Sequence, residues 1–102
     1  MYVYGISLSP KDSTVYFTDV LILQNAKVNK QTGFLVDRNH LSSQLKNHMA
    51  AIGEKDRTSA IVFNTKLSSI TKDYDKQKAR YQKNNYIVKS VDQTEFRFQN
   101  ID

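Results

Sequence analysis

Two stretches of this chain have helical periodicity, and each carries its apolar residues along one side only. Leu41, Leu45, His48, Met49 and Ile52 recur at spacings of three and four and predict a helix over 38–52. Leu67, Ile70, Tyr74 and Tyr81 form the matching stripe of a second helix, running from about Thr65 to Lys83. Each stripe must be buried against something. Because the segments around both helices are short and β-like, that something is a shared sheet.

Residues 2–8 alternate, with Tyr2, Tyr4, Ile6 and Leu8 on one side and Val3, Gly5 and Ser7 on the other, the pattern of a half-buried strand. Pro10-Lys11-Asp12-Ser13 supplies turn chemistry, since proline presets its dihedral and short polar side chains bond to nearby backbone. Residues 15–24 are apolar on both sides and predict the second, central strand of a hairpin. Beyond the polar residues 27–31 and Thr32-Gly33, Phe34, Leu35 and Val36 suggest a short third strand. Asp37 is placed to cap the first helix, Val36 to staple onto Leu41, and Gly53 to stop it. Residues 54–58 form a charged connector and 59–63 a short buried strand; Thr65 is placed to cap the second helix and Asn84-Asn85 to end it. Residues 86–89 and 94–98 predict a last pair of strands joined through 90–93. The order is β-β-(β)-α-β-α-β-β. It implies one α+β domain over residues 1–102, a mostly antiparallel sheet of four to six strands with two helices on one face and the other face partly open.

Composition narrows the chemistry. With no cysteine in 102 residues, disulfides and thiolate metal sites are excluded, and three scattered glycines cannot build a phosphate-cradling loop. No Gly-x-Ser-x-Gly elbow occurs. His40 and His48 lie eight residues apart, whereas two ligands for one metal on a helix want about four. His48 sits on the apolar stripe and is expected to be buried and hydrogen-bonded; His40 is expected to make a contact near its helix cap. Asp19 interrupts an apolar strand. It is expected at an edge or beside a lysine, and a metal site shared with Asp37 or Glu95 is the competing reading. A ribonuclease set of His40, Tyr81 and Lys83 is a further one, of a kind that any small basic domain offers by chance. The expectation is therefore a protein without cofactor, metal or catalytic centre.

The longest apolar run, Val20 to Leu23, is far short of the roughly 20 residues that span a bilayer. No basic segment leads into an apolar one at Met1 to Gly5, so a cytoplasmic protein is expected. Eleven of the 15 basic residues are Lys, and Asn and Gln add 15 more positions, a bias that suggests AT-rich codons.

The charge is localised. From Lys72 through Lys89 there are six basic and two acidic residues, so +4 of the formal +5 lies in this segment. At 100° per residue, Lys72, Lys76, Arg80 and Lys83 fall on one stripe nearly opposite Tyr74. Such a stripe suits phosphate contacts, helped by Lys66, Lys78, Lys89 and Arg97, and Tyr81, Tyr86, Tyr2 and Tyr4 are the candidates for stacking bases. An ordinary solvated helix face competes with that reading. The short turn of a helix-turn-helix is missing, because a strand separates the helices. Two partner classes follow: nucleic acid, bound with little sequence specificity, or a host protein. In the second case the domain would be an accessory or inhibitor protein of a virus or mobile element, docking through an exposed sheet face or edge. An unpaired edge such as 94–98 could also join two copies into a homodimer.

Overall fold

The computed structural model describes residues 1–24, 26–33, 35–36 and 38–99. Its elements are β1 (Tyr2–Leu8), β2 (Thr14–Thr18), β3 (Leu21–Ile22), α1 (Arg38–Ala51), β4 (Thr58–Asn64), α2 (Leu67–Lys83) and β5 (Ile87–Val91). The expected α+β class holds. Phe34 and the Asp37 cap lie outside the described residues; of the expected third strand, Leu35 forms only an isolated antiparallel bridge with Val28.

Strand β1 organises the sheet. It pairs antiparallel with β4 along its whole length, Tyr2 opposite Asn64 through Leu8 opposite Thr58. Its other side pairs antiparallel first with β2, Ile6 opposite Phe17, and then with β3. Three steps along from the Ile6 pair, Val3 would face Val20, yet it faces Leu21. One extra residue is therefore accommodated, as in a bulge. The Thr18 hydroxyl fills the gap: it accepts the Gly5 N–H at 2.8 Å and donates to the Asp19 carbonyl at 3.0 Å. The single long strand expected over 15–24 is thus broken into β2 and β3. Strand β5 lies parallel to β2, Thr14 opposite Ile87 through Thr18 opposite Val91, because α2 carries the chain across the sheet between β4 and β5.

The helices sit on opposite faces, which corrects the one-face expectation. Leu41, Leu45 and Met49 of α1 join Val3, Leu21 and Ile61 in one core cluster, while Ile70 of α2 joins Tyr4, Ile6, Val15 and Phe17 in the other. The alternation of β1 drives this division. Val3 and Gly5 face α1, whereas Tyr4 and Ile6 face α2, and all four residues are buried. Glycine at position 5 is what lets α1 approach: a Cβ there would stand 2.6 Å from Leu45 Cδ2 and 2.9 Å from Phe98 Cζ.

Both helices end in the same way. Gly53 has φ +94°, its N–H reaches the Ala50 carbonyl, and the Glu54 N–H reaches Met49. Asn85 has φ +66°, its N–H reaches Gln82, and the Tyr86 N–H reaches Tyr81. These are Schellman closures, which satisfy carbonyls of the last turn. At the start of α2 the expected cap is absent: Lys66 holds the cap position without a side-chain bond, and the Asn64 carboxamide accepts the Lys66 N–H instead. Leu67 and Ile52, both expected on buried stripes, are about half exposed.

Residues 94–98 do not form a strand. Asp92 gathers a turn by accepting from the Thr94 N–H and hydroxyl, and these bonds hold its carboxyl below the usual carboxylate range. The chain then passes along α1, where Phe96 and Phe98 pack edge to face, 4.9 Å between centroids, and Gln99 exchanges two hydrogen bonds with Gln44. Burying two rings on the α1 side prevails over pairing with β5. Among the described residues, β4, β5 and the short β3 each pair on one side only.

Candidate nucleic-acid interface

The outer side of α2 is the most charged surface that a single element presents. Lys72, Lys76, Arg80 and Lys83 are all exposed, and among the described residues none of them lies within ion-pair distance of a carboxylate. They project outward because the opposite side is occupied. Ile70 is buried, and Tyr74 stands 4.9 Å from Tyr4 and 5.7 Å from Phe17, edge to face with both rings. The Tyr74 hydroxyl donates to the Thr18 carbonyl at 2.8 Å, tying α2 to the end of β2.

The two acids of α2 diverge. Asp73 turns toward the sheet and accepts a hydrogen bond from the Tyr4 hydroxyl at 2.5 Å. Burial, reinforced by this carboxylate, pushes the Tyr4 phenol far above its ordinary value. Asp75 stays exposed and makes no ion pair among the described residues.

The auxiliary cations do not all join the stripe. Lys66 is exposed at the start of α2. Lys78 folds back, its Nζ 4.3 Å from the Tyr74 centroid and 5.8 Å from that of Phe17. Lys89 and Arg97 belong to the other side of the sheet: Lys89 hangs over Tyr16, and Arg97 lies between Phe96 and Phe98 of the α1 cluster.

The aromatic candidates are committed to packing. Tyr4 is fully buried, so its expected place as a stacking platform is corrected. Tyr81 meets Phe17 at 5.9 Å and Tyr86 at 5.1 Å, both edge to face, and Tyr2 packs on the same cluster. Large rings fill the space between helix and sheet because their area outweighs the wet edge a phenol could keep.

The other singled-out residues are dispersed. Asp19 accepts the Gln93 N–H at 2.9 Å, fixing the turn after β5. His48 is largely buried, as expected, and its Nε2 lies 3.2 Å from Glu95 with the ring against Phe96. His40 is exposed on α1, across the sheet from Lys83 and Tyr81. No group of three or more His, Asp or Glu that could hold a metal occurs among the described residues.

Arg57 escaped the sequence reading. Placed in a charged connector, it is nearly fully buried and donates from Nε to the Ser7 hydroxyl and from Nη2 to the Ser7 and Thr14 carbonyls. Nη1 approaches Asp12 at 3.4 Å and Glu54 at 3.7 Å, and the guanidinium lies 4.9 Å from the Tyr16 ring centroid. Glu54 accepts from the Tyr16 hydroxyl, and burial followed by this bond raises the Tyr16 pKa. No periodicity marks such a residue, since its acceptors lie more than 40 positions away. A hollow of about 270 Å³ adjoins it, lined by Ser42, Ser43, Lys46, Arg57, Thr58 and Ser59. Because the Arg57 donors are directed to the β1–β2 hairpin and Glu54, Lys46 is the cation of the hollow without a carboxylate partner among the described residues.

No family model, curated protein or solved structure matches this chain. No helix among the described residues is long and apolar enough to cross a membrane.

Proposed function

We propose that this domain is a non-catalytic, low-specificity nucleic-acid binder of the cytoplasm, with the outer face of α2 as its contact surface. The observation that carries the reading is the stripe Lys72, Lys76, Arg80 and Lys83, exposed and without a carboxylate partner among the described residues. Each cation that neutralises a phosphate releases condensed counterions, so affinity comes from charge and falls steeply with salt. Contacts to phosphate oxygens fix position and carry no base information, which accounts for the low specificity.

Fluorescence anisotropy with labelled mixed-sequence DNA and RNA at two salt concentrations tests the reading. Dissociation constants in the micromolar range are expected in dilute buffer, typical of non-specific contacts. The charge reversal Lys76→Glu with Arg80→Glu abolishes binding and leaves the thermal midpoint nearly unchanged, because both side chains are exposed. Absence of binding in dilute buffer overturns the proposal.

The second reading, a protein-docking accessory module, draws on an unpaired edge. Strand β5 pairs with β2 alone among the described residues, and its Ile87 is 59% exposed. Both sheet faces carry a helix, so a host protein or a second copy would dock on that edge. Such a complex persists at salt concentrations that dissolve a phosphate-driven one.

A further inference from the structure

We infer that the nucleic acid taken by α2 is double-helical and is held by its phosphate backbone alone. This rests on the nucleic-acid reading above and narrows it. Binders of single strands combine cations with rings on which successive bases stack, and the stacking offsets the cost of ordering a flexible strand. Here the candidate rings are already occupied. Tyr4 is buried, the partly buried Tyr81 packs edge to face on Phe17 and Tyr86 from the inner side of α2, and the partly buried Tyr2 packs on the same cluster, so none of them lies on the cation stripe.

What remains outside is a row of exposed cations along one side of α2. Lys72 to Lys83 extends about 16 Å along the helix axis, at 1.5 Å per residue. That length matches about five base-pair steps of a duplex, which presents roughly one charge per 1.7 Å with both strands counted. A duplex is stiff over this span, so no ordering cost arises when it meets the rod, and its bases are already stacked on one another. Three of the four cations are Lys, and Arg80 is the stripe's single bidentate donor. Directed at phosphates, these four cations position the duplex and carry no base information.

The test uses the full chain with one mixed sequence in three forms: duplex DNA, duplex RNA and the single DNA strand. Anisotropy is followed over a series of salt concentrations. Either duplex is expected to bind about fivefold tighter than the single strand or better, with a log–log salt slope of about −3.6 on duplex DNA for four phosphates. Lys76→Gln with Arg80→Gln, checked for folding by circular dichroism, lowers the slope magnitude by about two. A single strand bound as tightly as the duplexes overturns this inference and leaves the binding reading standing. An unchanged slope in the double variant places the contact elsewhere and overturns it too. Failure of all three forms to bind in dilute buffer removes the reading beneath it.

Discussion

Replacing Arg57 by Met keeps most of the side chain's volume and removes all its donors, so it isolates the hydrogen bonds from the packing. The side chain is 1% exposed. Three bonds to uncharged acceptors reach the β1–β2 hairpin, Nε to the Ser7 hydroxyl at 2.9 Å and Nη2 to the carbonyls of Ser7 at 3.1 Å and Thr14 at 2.5 Å, beside a longer one from Nη1 to Asp12 at 3.4 Å. Ser7 is itself fully buried, so its hydroxyl and carbonyl lose their partner with no water to replace it. Each orphaned buried acceptor costs about 1–3 kcal/mol, and Thr14, nearer the surface, less. The expected destabilisation is therefore about 3–4 kcal/mol, a large part of the 5–15 kcal/mol that a domain has in total. The ion pairs contribute little by comparison. Asp12 is 47% exposed and Glu54 38%, so solvent screens both, and Asp12→Asn or Glu54→Gln costs about 1 kcal/mol or less. Urea unfolding followed by circular dichroism, in low and high salt, measures all three variants. A neutral or stabilising Arg57→Met, or a loss in Asp12→Asn as large as in Arg57→Met, refutes the ranking of buried hydrogen bonds above ion pairs.

Two further outcomes follow from the packing. Burial raises the folded-state pKa of Tyr4 above the ordinary value of 10.0, so its contribution is complete below pH 10 and is lost as pH rises above it, where the unfolded chain ionises first. Urea midpoints should therefore fall more between pH 8 and pH 11 in the parent than in Tyr4→Phe; equal losses would show that another group governs alkaline unfolding. Gly5→Ala places a methyl against buried Leu45 and Phe98 and should cost about 1–3 kcal/mol. Combining it with Leu45→Ala should cost less than the two changes summed, and strict additivity in the double-mutant cycle would show that the methyl meets no resistance there.

Much of the local structure was legible in the residues. The strand expected over 2–8 coincides with β1, though it is buried on both sides and not on one, the segment 59–63 lies within β4, and the helix over 38–52 agrees with α1 to one residue, ending through Gly53 as expected. Each of these features rests on periodicity or on a neighbour within a turn. The helix cap expected at Thr65 failed because the helix begins one residue later, with Lys66 in the cap position and its N–H taken by the Asn64 carboxamide. The strand over 94–98 failed because α1 supplied a surface on which Phe96 and Phe98 could be buried, and no local pattern announces such a surface.

From the order of its residues alone, the chain determines that Lys72, Lys76, Arg80 and Lys83 share one side of a helix and that Ile70 and Tyr74 occupy the other, since a period of 3.6 settles both. Tertiary structure alone decided that the two helices cover opposite faces of the sheet, that β5 runs parallel to β2, that Arg57 lies buried among acceptors of a distant hairpin, and that Asp73 turns from the cations to Tyr4. Periodicity tells a side chain which way to point, but the identity of what it meets there depends on contacts between residues far apart in the chain.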